Sequence, residues 1–90
     1  MHQGLDQENH LKKDLGFQVF PNPTRGHIQF KANTPMQEIQ LFDLGGRQIW
    51  NVANIHDYNY SFQMNTLPQG MYVAKIRFDR GVITSKIVVE

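Results

Sequence analysis

The chain has 90 residues, a net charge of +1 and no cysteine, a length that fits one small domain. Nine basic side chains nearly balance eight acidic ones, which argues against a protein built mainly to bind nucleic-acid phosphates. The lack of cysteine excludes disulfides, thiolate zinc sites and a cysteine nucleophile. No apolar run approaches the roughly 18 residues that a membrane span needs.

The first 16 residues differ in composition from the rest. They are polar and of mixed charge, whereas all aromatic residues and all four prolines come later. We therefore predict a flexible linker or a cloning remnant over residues 1–16 and one folded domain over residues 17–90. A short helical turn around Leu11 and Leu15 is the alternative for the end of this segment.

Seven short segments of the predicted domain have the polar–apolar alternation or the composition of β-strands, and turn residues separate them. In chain order they span residues 17–20, 27–31, 37–43, 47–52, 58–64, 71–78 and 82–89. Glycines at Gly46 and Gly81 suit tight turns between neighbouring strands. With no convincing amphipathic helix, the pattern predicts an all-β fold, a small antiparallel immunoglobulin-like β-sandwich of about seven strands.

The alternation also predicts which side chains face outward. In segment 71–78 the outward positions include Lys75 and Arg77, and in the last segment they include Lys86. These three form a basic stripe, for which Lys31 is a candidate addition. The stripe has two interpretations: it deters stray strand pairing, or it docks an acidic protein or an anionic lipid.

Residues with catalytic or metal-binding spacing are lacking. Both serines lie within predicted strands, and His56 and Asp57 are sequence neighbours that would point to opposite faces of a strand. Asn54, Asp57 and Asn59 would offer oxygens to a calcium ion, but they are a weak set because only one is charged. We predict no enzymatic activity, no metal site and no cofactor.

Trp50, Tyr58 and Tyr60 suggest an alternative function, because together they would form a platform on which a sugar stacks. The alternation instead places both tyrosines on the face of Phe62 and Met64, which favours the core. The alternative is thus an accessory carbohydrate-binding or structural β-sandwich module of a larger secreted enzyme.

Four segments carry a resemblance to a known family. They are FPNPTRG at 20–26, IQLFDLGGR at 39–47, LPQGMYV at 67–73 and KIVV at 86–89. In this order the chain resembles the type A C-terminal sorting domain of the type IX secretion system, the Por system of Bacteroidetes. The resemblance extends from about Phe17 to Glu90.

This resemblance implies a C-terminal secretion signal with no catalytic role. It would direct an N-terminal cargo domain of the parent chain from the periplasm through the outer-membrane translocon, to the cell surface or the medium. A sortase-like C-terminal signal peptidase would cut in the preceding linker. The implied partners are therefore translocon components, this peptidase and the cargo, with no nucleic acid and no membrane span. No apolar segment follows Met1, so an export signal is expected in the cargo.

The motif residues are expected to be turn and scaffold positions: Pro21, Asn22, Pro23, Gly26, Asp43, Gly46, Leu67, Gly70 and Tyr72. Pro21 would end the first strand because it lacks an N–H, and Asp43 would accept hydrogen bonds from turn amides. Tyr72 would bury its ring while its hydroxyl finds a backbone partner.

Translocon recognition is predicted at the basic stripe and the terminal strand, together with the unpaired outer edge of that strand. The candidate residues are Lys75, Arg77, Lys86, Ile87, Val88 and Val89.

Overall fold

Each alternating run of the chain after Phe17 forms a β-strand, as the period of two in side-chain direction requires. The computed structural model describes residues 10–90. Its strands are β1 (Gln18–Phe20), β2 (His27–Met36), β3 (Glu38–Asp43), β4 (Gln48–Val52), β5 (Asp57–Gln63), β6 (Gly70–Phe78) and β7 (Gly81–Val89). The seven predicted strands are confirmed, but β2 is longer than expected. It continues past an irregularity between Lys31 and Met36, where residues 33–35 break the alternation.

The strands form two sheets. One has three strands in the order β1-β2-β5, and the other has four in the order β4-β3-β6-β7, with every named pair antiparallel. The chain passes from the first sheet to the second at Gln37, whose N–H donates to the Arg77 carbonyl at 2.7 Å. The predicted antiparallel β-sandwich is confirmed.

The core lies between the inner faces of the two sheets. On β6, the inward residues Tyr72, Ala74, Ile76 and Phe78 are all buried, as their alternation with Lys75 and Arg77 predicts. The other apolar residues of the core are Leu15, Ile28, Phe30, Ala32, Met36, Ile39, Leu41, Met64, Ile83, Ile87 and Val89. Because β7 supplies three of these side chains, at roughly 1.5–3 kcal/mol for each full burial, this strand is essential to a domain of modest stability.

A helical turn over residues 10–14 closes one end of the sandwich. It stops at Gly16, which has a φ of 57°. There the N–H of Gly16 donates to Lys13 O at 3.1 Å and the N–H of Phe17 donates to Lys12 O at 3.0 Å. This pair of bonds is the Schellman arrangement, in which a left-handed glycine ends the helix.

The helical turn is attached to both sheets. Leu15 is only 2% exposed and belongs to the core. Asn33 of β2 donates its backbone N–H to Leu15 O at 2.8 Å and its side-chain amide to Asp14 O at 3.1 Å. Arg80, in the β6–β7 turn, reaches the Asp14 carboxylate at 3.2 Å.

Residues 10–16 were assigned to a linker from their polar composition, yet the structure packs them against the sandwich. The alternative of a helical turn around Leu11 and Leu15 describes this stretch. The composition of residues 10–16 does not predict this packing, because Leu11 and Leu15 are the only apolar side chains that the segment places against the core. The rest of the predicted linker, residues 1–9, lies outside the described residues.

Replacing Leu15 with Ala should lower the free energy of unfolding by about 2–4 kcal/mol, because the substitution opens a cavity in the core. Leu44→Ala is the matched control, since Leu44 is 67% exposed in the β3–β4 turn and its loss should change stability by less than about 0.5 kcal/mol. Urea unfolding followed by circular dichroism measures both. Equal stability of the two variants would mean that residues 10–16 are not part of the folded unit.

Candidate recognition surface

The β3–β4 turn is built by Asp43. Its side-chain Oδ1 accepts the backbone N–H of Arg47 at 2.9 Å, and its carbonyl accepts the N–H of Gly46 at 3.0 Å. Gly46 has a φ of 87°, which a residue with a Cβ adopts only at a cost. The Asp43 carboxylate also lies 3.3 Å from the Arg47 guanidinium, although such an exposed ion pair contributes little to stability. Asp43 and Gly46 therefore act locally, as turn residues.

The loop before β6 is held by Tyr72. Its ring is 6% exposed, and its hydroxyl donates to the Pro68 carbonyl at 2.7 Å. Leu67 packs against the core and donates its N–H to Met64 O at 3.0 Å, while Gly70 enters β6 with a φ of 150°. A buried tyrosine that bonds back to a nearby upstream carbonyl fixes the corner between two strands, as in other β-sandwiches.

The segment after β1 lies along the outer edge of β7. The peptide bonds that precede Pro21 and Pro23 are both cis. Between them, Asn22 donates its side-chain N–H to Lys86 O at 2.8 Å and accepts the Val88 N–H on Oδ1 at 3.0 Å.

Thr24 continues this contact with its backbone. Its N–H donates to Val88 O, and its carbonyl accepts the N–H of Glu90, both at 2.8 Å. Its side chain is 1% exposed, and its hydroxyl donates to His27 O at 2.5 Å while accepting the Gly26 N–H at 3.2 Å. The four bonds that Asn22 and Thr24 make with residues 86–90 each contribute about 0.5–1.5 kcal/mol net.

The prediction that the outer edge of the last strand is unpaired is therefore wrong over residues 86–90. Sequence reading missed the contact because two prolines disqualify the 21–24 segment as a strand, and because half of the contact is made by a side-chain amide. Thr24 was quoted within the FPNPTRG segment but was given no role. The available signal was a small polar residue two positions before Gly26, at a place where the chain reverses direction.

The outer face of β3, β6 and β7 carries the basic stripe. Three cross-strand rows cross it: Phe42–Val73–Lys86, Gln40–Lys75–Thr84 and Glu38–Arg77–Val82. We call this surface the basic face. Lys31 lies on β2, in the other sheet, so it does not extend the stripe.

The three cations of the basic face differ in their partners. Arg77 Nε lies 3.3 Å from Glu38 Oε1, and Lys75 Nζ lies 5.3 Å from the centre of the Phe42 ring, a cation–π contact. Lys86 is exposed. Within residues 10–90, neither Lys75 nor Lys86 forms an ion pair. The face thus has three cations against the single carboxylate of Glu38.

Exposed apolar side chains adjoin these cations. Met71 is 38% exposed and Val82 is 46% exposed, while Val73 and Val88 are half-buried. The outer face of the three-stranded sheet carries a different set. Its exposed side chains on β2 and β5 are mostly neutral and polar: His27, Lys31, Asn33, Asp57, Asn59, Ser61 and Gln63. Phe20 of β1, which lies on the same face opposite Gln29, is 40% exposed. The two outer faces therefore differ in charge: the basic face has three cations, whereas Lys31 is the one lysine or arginine on the described strands of the other face.

The predicted recognition residues of β7 divide between two environments. Lys86 is exposed and Val88 is half-buried, whereas Ile87 is 0% exposed and Val89 is 5% exposed. On the folded domain, Lys86 and Val88 are therefore the accessible members of this set. The two core residues would become accessible only on unfolding.

The three aromatic residues of the alternative sugar platform do not share one exposed surface. Trp50 packs against Phe62, with ring centres 4.1 Å apart, and against Tyr60 at 6.0 Å. Trp50 and Tyr60 are half-buried and fill the gap between the edge strands β4 and β5, whereas Tyr58 is 50% exposed.

The polar loop before β5 also has a local explanation. The Asp57 carboxylate accepts the N–H of Tyr58 at 2.7 Å and that of Asn59 at 3.4 Å. Across residues 10–90, no three His, Asp or Glu side chains are placed to hold a metal ion. In the same range, no helix is long and apolar enough to cross a membrane.

The described residues thus form a small antiparallel β-sandwich with a basic and partly apolar outer face on its four-stranded sheet. The family model described as a secretion system C-terminal sorting domain matches residues 18–90. The chain therefore belongs to the C-terminal sorting domains of the type IX secretion system, a family of export signals rather than of enzymes. Among curated proteins, none matches the chain.

Family membership places the chain in a type IX secretion context, as part of a parent protein that is exported to the cell surface or secreted. All nine motif residues singled out from the sequence fall within the matched range. Those described above build turns, the Tyr72 corner and the contact with β7.

Tyr72→Phe should lower the free energy of unfolding by about 1 kcal/mol, because it removes one part-buried hydrogen bond and leaves the ring in place. Tyr58→Phe removes an exposed hydroxyl and should change stability by less than about 0.5 kcal/mol. Thermal unfolding of the two variants beside the unmodified chain makes the comparison. If both variants have the same unfolding midpoint as the unmodified chain, the hydrogen bond from Tyr72 to Pro68 does not stabilise the corner.

Proposed function

We propose that the type IX translocon recognises this sorting domain through its basic face. The observation that carries the proposal is the contrast between the two outer sheet faces. One carries a single lysine, Lys31, and exposed Phe20 among mainly neutral polar side chains. The other presents Lys75, Arg77 and Lys86 beside exposed Met71 and Val82. Apolar area supplies affinity on docking, while surrounding charges set specificity and the rate of encounter.

An acidic surface on the machinery is the partner of matching charge. Lys75 and Lys86 have no carboxylate neighbour within the described residues, so the positive charge of this face is only partly compensated by Glu38. Exposed charges of this kind steer association and are screened by salt, with a Debye length of about 8 Å at physiological ionic strength. Binding should therefore weaken as salt rises.

The parent protein is proposed to follow the route that the sequence resemblance implies. The cargo crosses the inner membrane by its own signal, passes the periplasm, and reaches the translocon with this domain attached. A sortase-like peptidase then separates the two. The packing of Leu15 and the bonds from Asn33 to residues 14 and 15 support a cut on the N-terminal side of the helical turn, because extended, accessible backbone is what a peptidase requires.

Truncation is a poor test of this function. Removing the end of β7 deletes Ile87 and Val89 from the core, a loss of about 3–6 kcal/mol at the usual burial value, comparable to the whole stability of a small domain. An unfolded signal would fail whatever surface the translocon reads. Charge reversals on exposed side chains avoid this problem.

A reporter protein fused before this domain, produced in a bacterium with a type IX system, tests the basic face. The variant Lys75→Glu/Lys86→Glu should reduce the secreted fraction about tenfold or more, because like charges at an interface oppose docking by several kcal/mol. Circular dichroism and the unfolding midpoint should remain those of the unmodified domain.

The control is Lys31→Glu, which makes the same substitution at one lysine instead of two, on the outer face of the other sheet. It should leave secretion near the unmodified level. Normal export of the folded double variant, or an equal loss with Lys31→Glu, would refute recognition through the basic face.

A further inference from the structure

The Asn22 side chain occupies the place of a strand residue at the edge of β7. The backbone groups of Lys86 and Val88 point away from β6, and Asn22 satisfies one group on each. Its amide N–H donates to the carbonyl of residue 86, and its amide oxygen accepts the N–H of residue 88. In a parallel ladder, one backbone residue bonds to residues i and i+2 of its neighbour in the same way.

Thr24 makes the next step of the same ladder with its backbone. It bonds to the carbonyl of Val88 and the N–H of Glu90 and forms a parallel bridge with Val89. The edge of β7 therefore already accepts a parallel neighbour at two consecutive positions. One of these positions is filled by a main chain and the other only by a side chain.

The two positions differ in how firmly they are held. Thr24 is 1% exposed and its hydroxyl bonds to His27 and Gly26, so this half is fixed. Both Asn22 bonds are exposed, and the neighbouring Pro21 and Pro23 have no N–H with which to extend the pairing. Rotation of one side chain frees the edge at residues 86–88 without moving β7, since Ile87 remains in the core.

We propose that the edge of β7 at Lys86–Val88 is a β-augmentation site, which binds an extended peptide segment of a partner protein parallel to β7, in exchange for the Asn22 side chain. Main-chain bonds supply affinity in this mode of recognition, and the side chains beside them supply specificity. The site goes beyond the sorting function and is testable with no secretion machinery present.

The charge of the edge selects the occupant. Lys86 is exposed and lacks an ion pair within residues 10–90. A residue directly opposite it on an added strand is favoured when it is acidic and disfavoured when it is basic. A second copy of β7 in parallel and in register would place Lys86 against Lys86. The matching occupant is therefore a foreign strand with Asp or Glu at that position.

Nuclear magnetic resonance with the 90-residue chain tests the site. The probe is a capped seven-residue peptide of alternating Thr and Val with a central Glu. Its addition should shift the backbone amide of Val88 and the side-chain amide of Asn22. The same peptide with a central Lys should bind several-fold more weakly, and a version N-methylated at alternate amides should cause no shift.

Removing the competing side chain should strengthen binding. Asn22→Ala should lower the dissociation constant of the Glu peptide about tenfold. Asn22→Asp loses the N–H that donates to Lys86 O, so its dissociation constant should lie between those of Asn22→Ala and the unmodified chain. Asn59→Ala is the control, because Asn59 is an exposed asparagine on β5 of the other sheet, and it should leave the constant unchanged.

Three results would overturn the proposal. The first is that millimolar peptide causes no chemical-shift change at the Val88 amide of the unmodified chain. The second is that the Glu and Lys peptides bind with the same dissociation constant. The third is that the folded Asn22→Ala chain forms dimers and does not bind the peptide, which would make a second copy the occupant. If Asn22→Ala does not fold, the titration of the unmodified chain and of Asn22→Asp still decides the question.

Discussion

The placement of β7 is the constraint on which the rest of the structure depends. This strand has one strand neighbour, β6, and its inward residues Ile83, Ile87 and Val89 complete the core between the sheets. Its other edge is held by Asn22 and Thr24, from a segment more than sixty residues earlier in the chain. A single strand thus joins both halves of the sequence, and its loss removes core volume and an edge contact together.

Along β6 and β7, inward and outward side chains alternate, and the two sets have different roles. Inward positions stabilise the fold, and outward positions such as Lys75 and Lys86 are available to a partner. Motif residues such as Asp43 and Tyr72 belong to the first task, because their bonds are to their own loops. Motif residues of this kind therefore identify the scaffold. The residues proposed for recognition are outward positions, of which Lys86 also belongs to the KIVV segment.

Period-two alternation was enough to predict the seven strands, the inward face of β6 and the outward cations, since burial of one sheet face dominates the choice of residues. The order of strands was not predictable, because it depends on pairings between distant segments such as β3 with β6. The burial of Leu15 was not predicted, because it depends on the space left at the end of the sandwich. Asn22 was missed because a side-chain amide leaves no periodic signal when it replaces a backbone residue.

β7 also runs from one end of the domain to the other. The strand starts at Gly81, where Leu11 of the helical turn makes contact, and finishes next to Glu90, roughly 30 Å away at about 3.3 Å per residue. The helical turn therefore lies near one pole of the sandwich, and Glu90 lies near the opposite pole. Lys86 and Val88 lie toward the Glu90 pole, so a partner bound at them as proposed would stay clear of the helical turn at the other end.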